Sequence, residues 1–207
     1  MEILGYGEDA LTLWGMKYKL SDILNSQNDP SNPERCKIFF RPSFGRAGGD
    51  KSAQFGEFDF IILSDDFLYL GESKWDRSHE KIADGCLILR PEQLLRHRVF
   101  YCLIQLWLDN DYICWSHFKV PAEKILRKES VNKQFAPENS LLAKNLEMTF
   151  NIIKGHYKSI PQIKNLLLYF HCNKPVSQLP KKAGNDFNVV SLDYSMVTLG
   201  NYIQISI

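Results

Sequence analysis

The sequence predicts an α/β fold built on one mixed sheet. Three observations carry this. Apolar residues recur at helical spacing over three long segments, 8–24, 90–108 and 138–157. Short runs rich in β-branched and aromatic residues stand between and after them. The order is helix, three strands, helix, then a further helix and strands, the alternation expected when helices pack on a central sheet.

Taken in order, "GEDALTLWGMKYKLSDIL" reads as the first helix, with Leu11, Trp14 and Tyr18 on its apolar stripe and Leu4 extending it. "NSQNDPSNPE" (25–34) is a loop by composition, and "RCKIFF" (35–40) a strand. "RPSFGRAGGDKSA" (41–53) is a Gly- and Arg-rich connection. "GEFDFIILSDDFLYLGESK" (56–74) reads as two strands joined by an acidic turn. "RPEQLLRHRVFYCLIQLWL" (90–108) is helical, with Pro91 at its first position. "YICWSHFKV" (112–120) reads as a short strand or extended segment, and "ENSLLAKNLEMTFNIIKGHY" (138–157) as a helix. "IKNLLLYFHC" (163–172) and "FNVVSLDY" (187–194) read as strands.

Composition narrows the class of protein. The chain has 207 residues, 44% hydrophobic and 24% charged, which argues against disorder and suffices for one domain with its own core. Its longest apolar runs, such as "VFYCLI", fall far short of the roughly 20 residues of a membrane span. "MEILGYGED" has neither a basic nor an apolar signal region. The cysteines, at 36, 86, 102, 114 and 172, are odd in number and form no C-x-x-C. A reduced, cytoplasmic protein is therefore expected.

The net charge of +1 is unevenly spread. Residues 1–116 hold 13 Lys and Arg against 18 Asp and Glu, whereas residues 117–182 hold 12 against 4. A basic region following an acidic one suits a polyanion held near a cation-binding centre, although a solvated lysine surface explains the same count.

The hairpin is the most informative stretch. With Asp65 and Asp66 as a two-residue turn, facing residues sum to 131 in number, so Ile61 faces Leu70 and Leu63 faces Leu68. Asp59 then lies opposite Glu72, and Glu57 opposite Lys74, all on one face by period-two alternation. Both faces are apolar away from these charges, as in a central strand covered on both sides. Two carboxylates directly opposite, with Cβ atoms roughly 5 Å apart, repel each other. A divalent cation removes that penalty, and carboxylate oxygens are the hard ligands that Mg²⁺ prefers. A lysine two residues on can orient a water or offset charge in a phosphoryl transition state.

Asp59, twelve residues and then "ESK" on the next strand resembles the motif of the PD-(D/E)XK nuclease superfamily. "GEFDFII…LYLGESK" is most similar to the branch of Holliday-junction resolvases and restriction-type nucleases. A bare E-x-K is uninformative, since 11 Glu and 17 Lys produce roughly one by chance. The strand context, the facing aspartate and the element order give it weight. The resemblance implies a restriction-endonuclease-like core in the order αβββαβ, a central mixed sheet flanked by helices. It covers residues 5–108 and 163–172 of a single domain over 1–207, with 109–162 and 173–207 as helix and strand additions.

The resemblance also implies function. It makes the chain a Mg²⁺- or Mn²⁺-dependent nuclease, expected to be a DNA endonuclease. Asp59, Glu72 and the Ser73 backbone carbonyl hold the metal, and Lys74 sits beside the attacking water. Glu8 matches a glutamate found on the helix before the first strand, and Gln93 a glutamine after the motif; Glu57 and Gln93 are supporting residues. Phe58 stands where the motif's proline would be, and His97 replaces a tyrosine seen in some exonucleases. Arg41, Arg46 and Lys51 are candidate phosphate contacts. Members of the family often act as dimers, which makes a homodimer an expectation.

Each reading has a plainer rival. Glu8 in a first helical turn favours the helix dipole, Glu57 can simply pair with Lys74, and Gln93 can be a solvated polar residue. The five histidines show no ligand spacing. Trp14, Trp75, Trp107 and Trp115 read as core or rim residues, although Trp75 follows the site directly. Two rival functions remain: a non-catalytic nucleic-acid-binding or assembly module on the same fold, and a glycosidase using Asp59 and Glu72 as its acid–base pair.

Overall fold

The computed structural model describes residues 1–44, 55–78, 81–112, 114–131, 134–184 and 186–206. The chain divides into two compact units, one of Met1–Arg41, Phe58–Leu89 and Ile163–Ile207, the other of Pro42–Glu57 and Arg90–Gln162. The helix over 91–108 falls in the second unit and residues 163–207 in the first.

The first unit opens with β1 (Glu2–Tyr6), α1 (Gly7–Tyr18) and α2 (Leu20–Ser26). It continues with β2 (Lys37–Phe40), β3 (Phe60–Leu63), β4 (Phe67–Trp75), β5 (Ile82–Ala83) and β6 (Cys86–Leu87). It closes with β7 (Gln162–His171), β8 (Lys182–Ala183), β9 (Phe187–Asp193), β10 (Thr198–Leu199) and β11 (Tyr202–Ser206). The eight-stranded sheet runs β2-β3-β4-β7-β9-β8-β6-β5, and β1-β11-β10 form a separate three-stranded sheet. The larger sheet is mixed: β7 with β9 and β6 with β8 are parallel, and β2, β3 and β4 pair antiparallel. The α/β class with one central mixed sheet is as expected.

The β3–β4 hairpin has the register read from the sequence. Ile61 pairs with Leu70 and Leu63 with Leu68, and the Ser64 N–H donates to the Phe67 carbonyl at 3.0 Å across the Asp65-Asp66 turn. Asp29 anchors this turn. Its carboxylate accepts from the Ser64 hydroxyl at 2.6 Å, the Tyr69 hydroxyl at 2.9 Å and the Ser31 N–H at 3.0 Å. Burial opposes that charge, but hydrogen bonds from Ser31, Ser64 and Tyr69 outweigh it and hold the carboxyl below its usual range. Every residue of β3 is buried, because β3 is an interior strand with both faces covered.

One face of the sheet, carrying Phe60, Ile62, Tyr69, Leu166, Leu168 and Phe170, packs against Leu11, Trp14, Ile23 and Leu24 of α1 and α2. The single helix expected over 8–24 is interrupted at Lys19, which separates the two. Leu4 lies on β1 rather than on a helical stripe, and Tyr18 is exposed, donating its hydroxyl to the Ser206 carbonyl at 2.5 Å. Gly71 has a steric reason: an added Cβ would lie 2.0 Å from Cε2 of Phe60, its cross-strand partner. Only a residue without a side chain lets that ring lie over β4.

The second unit contains α3 (Pro91–Leu108), α4 (Trp115–Lys128) and α5 (Leu141–His156). The segment read as extended, 112–120, is largely helix. Trp115, Phe118, Ala122 and Leu126 are its buried positions, and their helical spacing emerges only when the window runs past Pro121 to 128. The core here is aromatic: Trp115 stacks on Phe135 at 5.2 Å between centroids, and Trp107 meets Phe118 edge-on at 4.8 Å. Trp14, Trp107 and Trp115 are thus core residues. Among the described residues, no helix is long and apolar enough to cross a membrane.

Candidate functional site

Four charged side chains gather at the open end of the hairpin. The hairpin carries them there: β3 and β4 pair up to Phe60 and Gly71, the Asp59 N–H also donates to the Gly71 carbonyl at 3.2 Å, and Asp59 thereby comes close enough to Glu72 to feel its charge. Asp59 Oδ2 accepts the Ser73 N–H at 2.7 Å, which ties its carboxylate to β4. Glu72 is almost wholly buried, with 1% of its surface exposed. Burial and the negative charge of Glu72 push the Asp59 carboxyl up to about 7, against the opposing pull of the Ser73 N–H and Lys74.

Lys74 is 6% exposed, and its Nζ lies 3.6 Å from Oε1 of Glu8. Glu8 stands in the first turn of α1, and its Oε2 accepts the Trp75 N–H at 3.0 Å. Burial raises the Glu8 carboxyl above its ordinary range, with Lys74 as the main counterweight. Helix α1 is fixed to β4 by hydroxyls as well. Thr12 Oγ1 lies 2.8 Å from the Glu8 carbonyl and 2.7 Å from Ser73 Oγ, so donating to the first it accepts from the second. Thr12 was not among the residues singled out from the sequence. Its only signal there is its position one helical turn after Glu8.

Arg41 follows β2 in a left-handed conformation, φ +50°. Its N–H donates to the Asp59 carbonyl at 3.0 Å and its guanidinium pairs with Asp9 of α1, beside Glu8. Arg46 and Lys51 lie outside the described residues. Glu57 belongs to the second unit, where it bridges Ser43. Gln93 belongs there too, and its Oε1 accepts the Arg90 N–H at 3.1 Å, a capping role at the start of α3. The first unit thus brings together Glu8, Asp59, Glu72, Ser73 and Lys74, with Arg41 at their border.

The donor set suits a hard divalent cation. Mg²⁺ is commonly held by one or two carboxylates and keeps waters in its other positions, and Asp59 and Glu72 are two carboxylates whose mutual repulsion a cation relieves. Among the described residues, no group of three or more His, Cys, Asp or Glu is disposed to hold a metal. Glu8 is turned instead toward Lys74 and the Trp75 N–H. A metal here would therefore rest on Asp59, Glu72 and a backbone oxygen such as that of Ser73.

Of the four lysines of the basic segment that fall in this unit, Lys174 pairs with Asp76 just past the end of β4, at 3.8 Å, and the other three lie elsewhere. Lys164, Lys181 and Lys182 line a polar cavity of about 610 Å³ together with Ser26, Gln27 and Asn188. Lys164 sits over the Phe67 ring at 3.7 Å, where β4 begins, whereas Asp76, just past its end, donates its N–H to the Phe170 carbonyl near the end of β7. These lysines thus stand at the far end of β4 from Glu72 and Lys74. Comparison of the chain with protein-family models, curated proteins and solved structures gives no match.

Proposed function

We propose that the protein is a divalent-metal-dependent phosphodiester hydrolase that cleaves nucleic acid, with DNA as the favoured substrate. The observation that carries this reading is the convergence of Asp59, Glu72 and Lys74, with Glu8, at one end of a buried hairpin. The motif resemblance, carried by the same residues, supports it as well. A bound Mg²⁺ or Mn²⁺ would supply Lewis acidity and a water of lowered pKa. Asp59 and Glu72 would hold it, and the Ser73 N–H keeps the Asp59 carboxylate in place. Glu8 aligns the Lys74 ammonium. That ammonium offsets negative charge as the water oxygen bonds to phosphorus and the bridging P–O bond breaks, its oxygen leaving with a proton.

The second reading, a non-catalytic binding module on the same scaffold, draws on the Lys74–Glu8 pair, which gives the lysine a purely structural partner. Incubating a panel of labelled DNA and RNA substrates with Mg²⁺, Mn²⁺ or EDTA separates the two. The hydrolase cleaves at least one substrate in a metal-dependent way, and Asp59→Ala abolishes both cleavage and metal binding measured by calorimetry. Binding without cleavage of any substrate would favour the module.

A further inference from the structure

Three aromatic rings meet at the end of β4, on the face of the strand opposite to Glu72 and Lys74. Tyr6 ends β1 and directly precedes Gly7 and Glu8, and Trp75 directly follows Lys74. The Tyr6 ring stands 6.1 Å from that of Trp75 and 6.2 Å from that of Tyr202 on β11, edge-on to both. Tyr6 is 65% exposed and Tyr202 49% exposed. The arrangement is held from beneath. The Trp75 indole donates to the Tyr194 hydroxyl at 2.7 Å, which in turn donates to Asp76 at 2.8 Å. The Trp75 backbone N–H is bonded to Glu8. Arg77 places its guanidinium 5.3 Å from the Trp75 ring and contacts Asn201 at 3.4 Å.

Packing alone does not require two tyrosines this exposed. Two exposed tyrosine rings packed on a partly buried tryptophan and flanked by an arginine are what an unpaired nucleobase needs: a π face to stack on and a cation for the adjoining phosphate. A base within a continuous duplex already has both faces covered and gains nothing from such a surface. We propose that Tyr6, Trp75 and Tyr202, with Arg77, form a stacking platform for an unpaired base near the cleaved phosphate, the two linked through Glu8, whose carboxylate meets both Lys74 and the Trp75 N–H. The substrate is then nucleic acid with unstacked nucleotides at the cleavage point. The proposal rests on the nuclease reading for the phosphate's position, but the platform itself is testable without cleavage.

The test measures binding in EDTA, by fluorescence anisotropy, of three labelled oligonucleotides: a single strand, a blunt duplex of the same sequence, and a duplex bearing a single-stranded flap. Tyr6→Leu/Tyr202→Leu keeps apolar bulk and removes the π faces; Tyr6→Phe/Tyr202→Phe keeps the rings. The wild type should prefer the single strand and the flap over the blunt duplex. The leucine pair should lose roughly tenfold on those two substrates and little on the duplex, while the phenylalanine pair stays near wild type. Equal binding of all three substrates by the wild type, or a leucine pair that matches the wild type or weakens on all three alike, would overturn the platform. Ring-dependent flap binding with no cleavage of any substrate in Mg²⁺ would sustain the platform and sink the nuclease reading instead.

Discussion

In the proposed hydrolase Asp59 and Lys74 are the residues on which the chemistry turns, and each makes a measurable prediction. An ammonium that acts on charge developing during hydrolysis stabilises the transition state more than the bound substrate. Lys74→Ala should therefore lower turnover by roughly 10²-fold or more while changing DNA affinity little. Near-normal cleavage at saturating Mg²⁺ would reduce Lys74 to a structural partner of Glu8. Asp59 predicts a pH effect. Its folded-state carboxyl is pushed up to about 7, well above the roughly 3.9 of an unfolded chain. The folded protein therefore holds this proton more tightly than the unfolded one. The associated stability is fully present below pH of about 4 and is lost as pH rises toward 7. Asp59→Asn has no proton to lose. In EDTA it should unfold with the wild type at pH 4 and be more stable at pH 8, by about 2–4 kcal/mol. A wild type equally stable at both pH values, relative to the variant, would refute the buried-repulsion account of this pair.

At the scale of the element, the β3–β4 hairpin is the part that positions the site. Its tip is pinned by the Asp29 network and its open end by the Asp59–Ser73 hydrogen bond. Between them, Gly71 lets the Phe60 ring lie across β4 one residue from Asp59. Gly71→Ala forces Phe60 to move, an overpacking that typically costs about 1–3 kcal/mol. Urea unfolding should show a loss in that range, and metal-dependent cleavage should fall by more than the loss of folded protein explains, because Asp59 shifts with Phe60. An alanine variant as stable and as active as the wild type would mean that the hairpin has slack in its packing.

For the molecule as a whole, charge would set the terms of the proposed nucleic-acid binding. The 12 Lys and Arg against 4 Asp and Glu of residues 117–182 are shared between the two units, and three of these lysines line the cavity at the far end of β4. A polyanion neutralised by several such groups releases counterions when it binds. DNA affinity measured in EDTA should therefore fall by about 100-fold or more between 50 and 200 mM salt. Affinity that is flat across this range would exclude a lysine-based phosphate contact and leave the aromatic platform as the main source of binding.

The sequence by itself determined what depends on neighbours along the chain. Period-two alternation and a two-residue turn set the register of β3 against β4 as far as Phe60 and Gly71, and with it the approach of Asp59 to Glu72, because hairpin contacts are local. Apolar spacing likewise marked α3, α5, β7 and β9 within a few residues. Tertiary structure alone decided what depends on distant partners. β1 pairs with β11 at the other end of the chain, and a five-residue segment gives no sign of so remote a partner. The turn of Glu8 toward Lys74, the seat of Thr12 on Ser73 and the meeting of Tyr6 with Trp75 and Tyr202 follow from α1 and β1 docking on β4 and β11. The physical reason is that side-chain periodicity records which face of an element is buried, whereas the identity of the surface burying it is written in contacts between segments far apart in sequence.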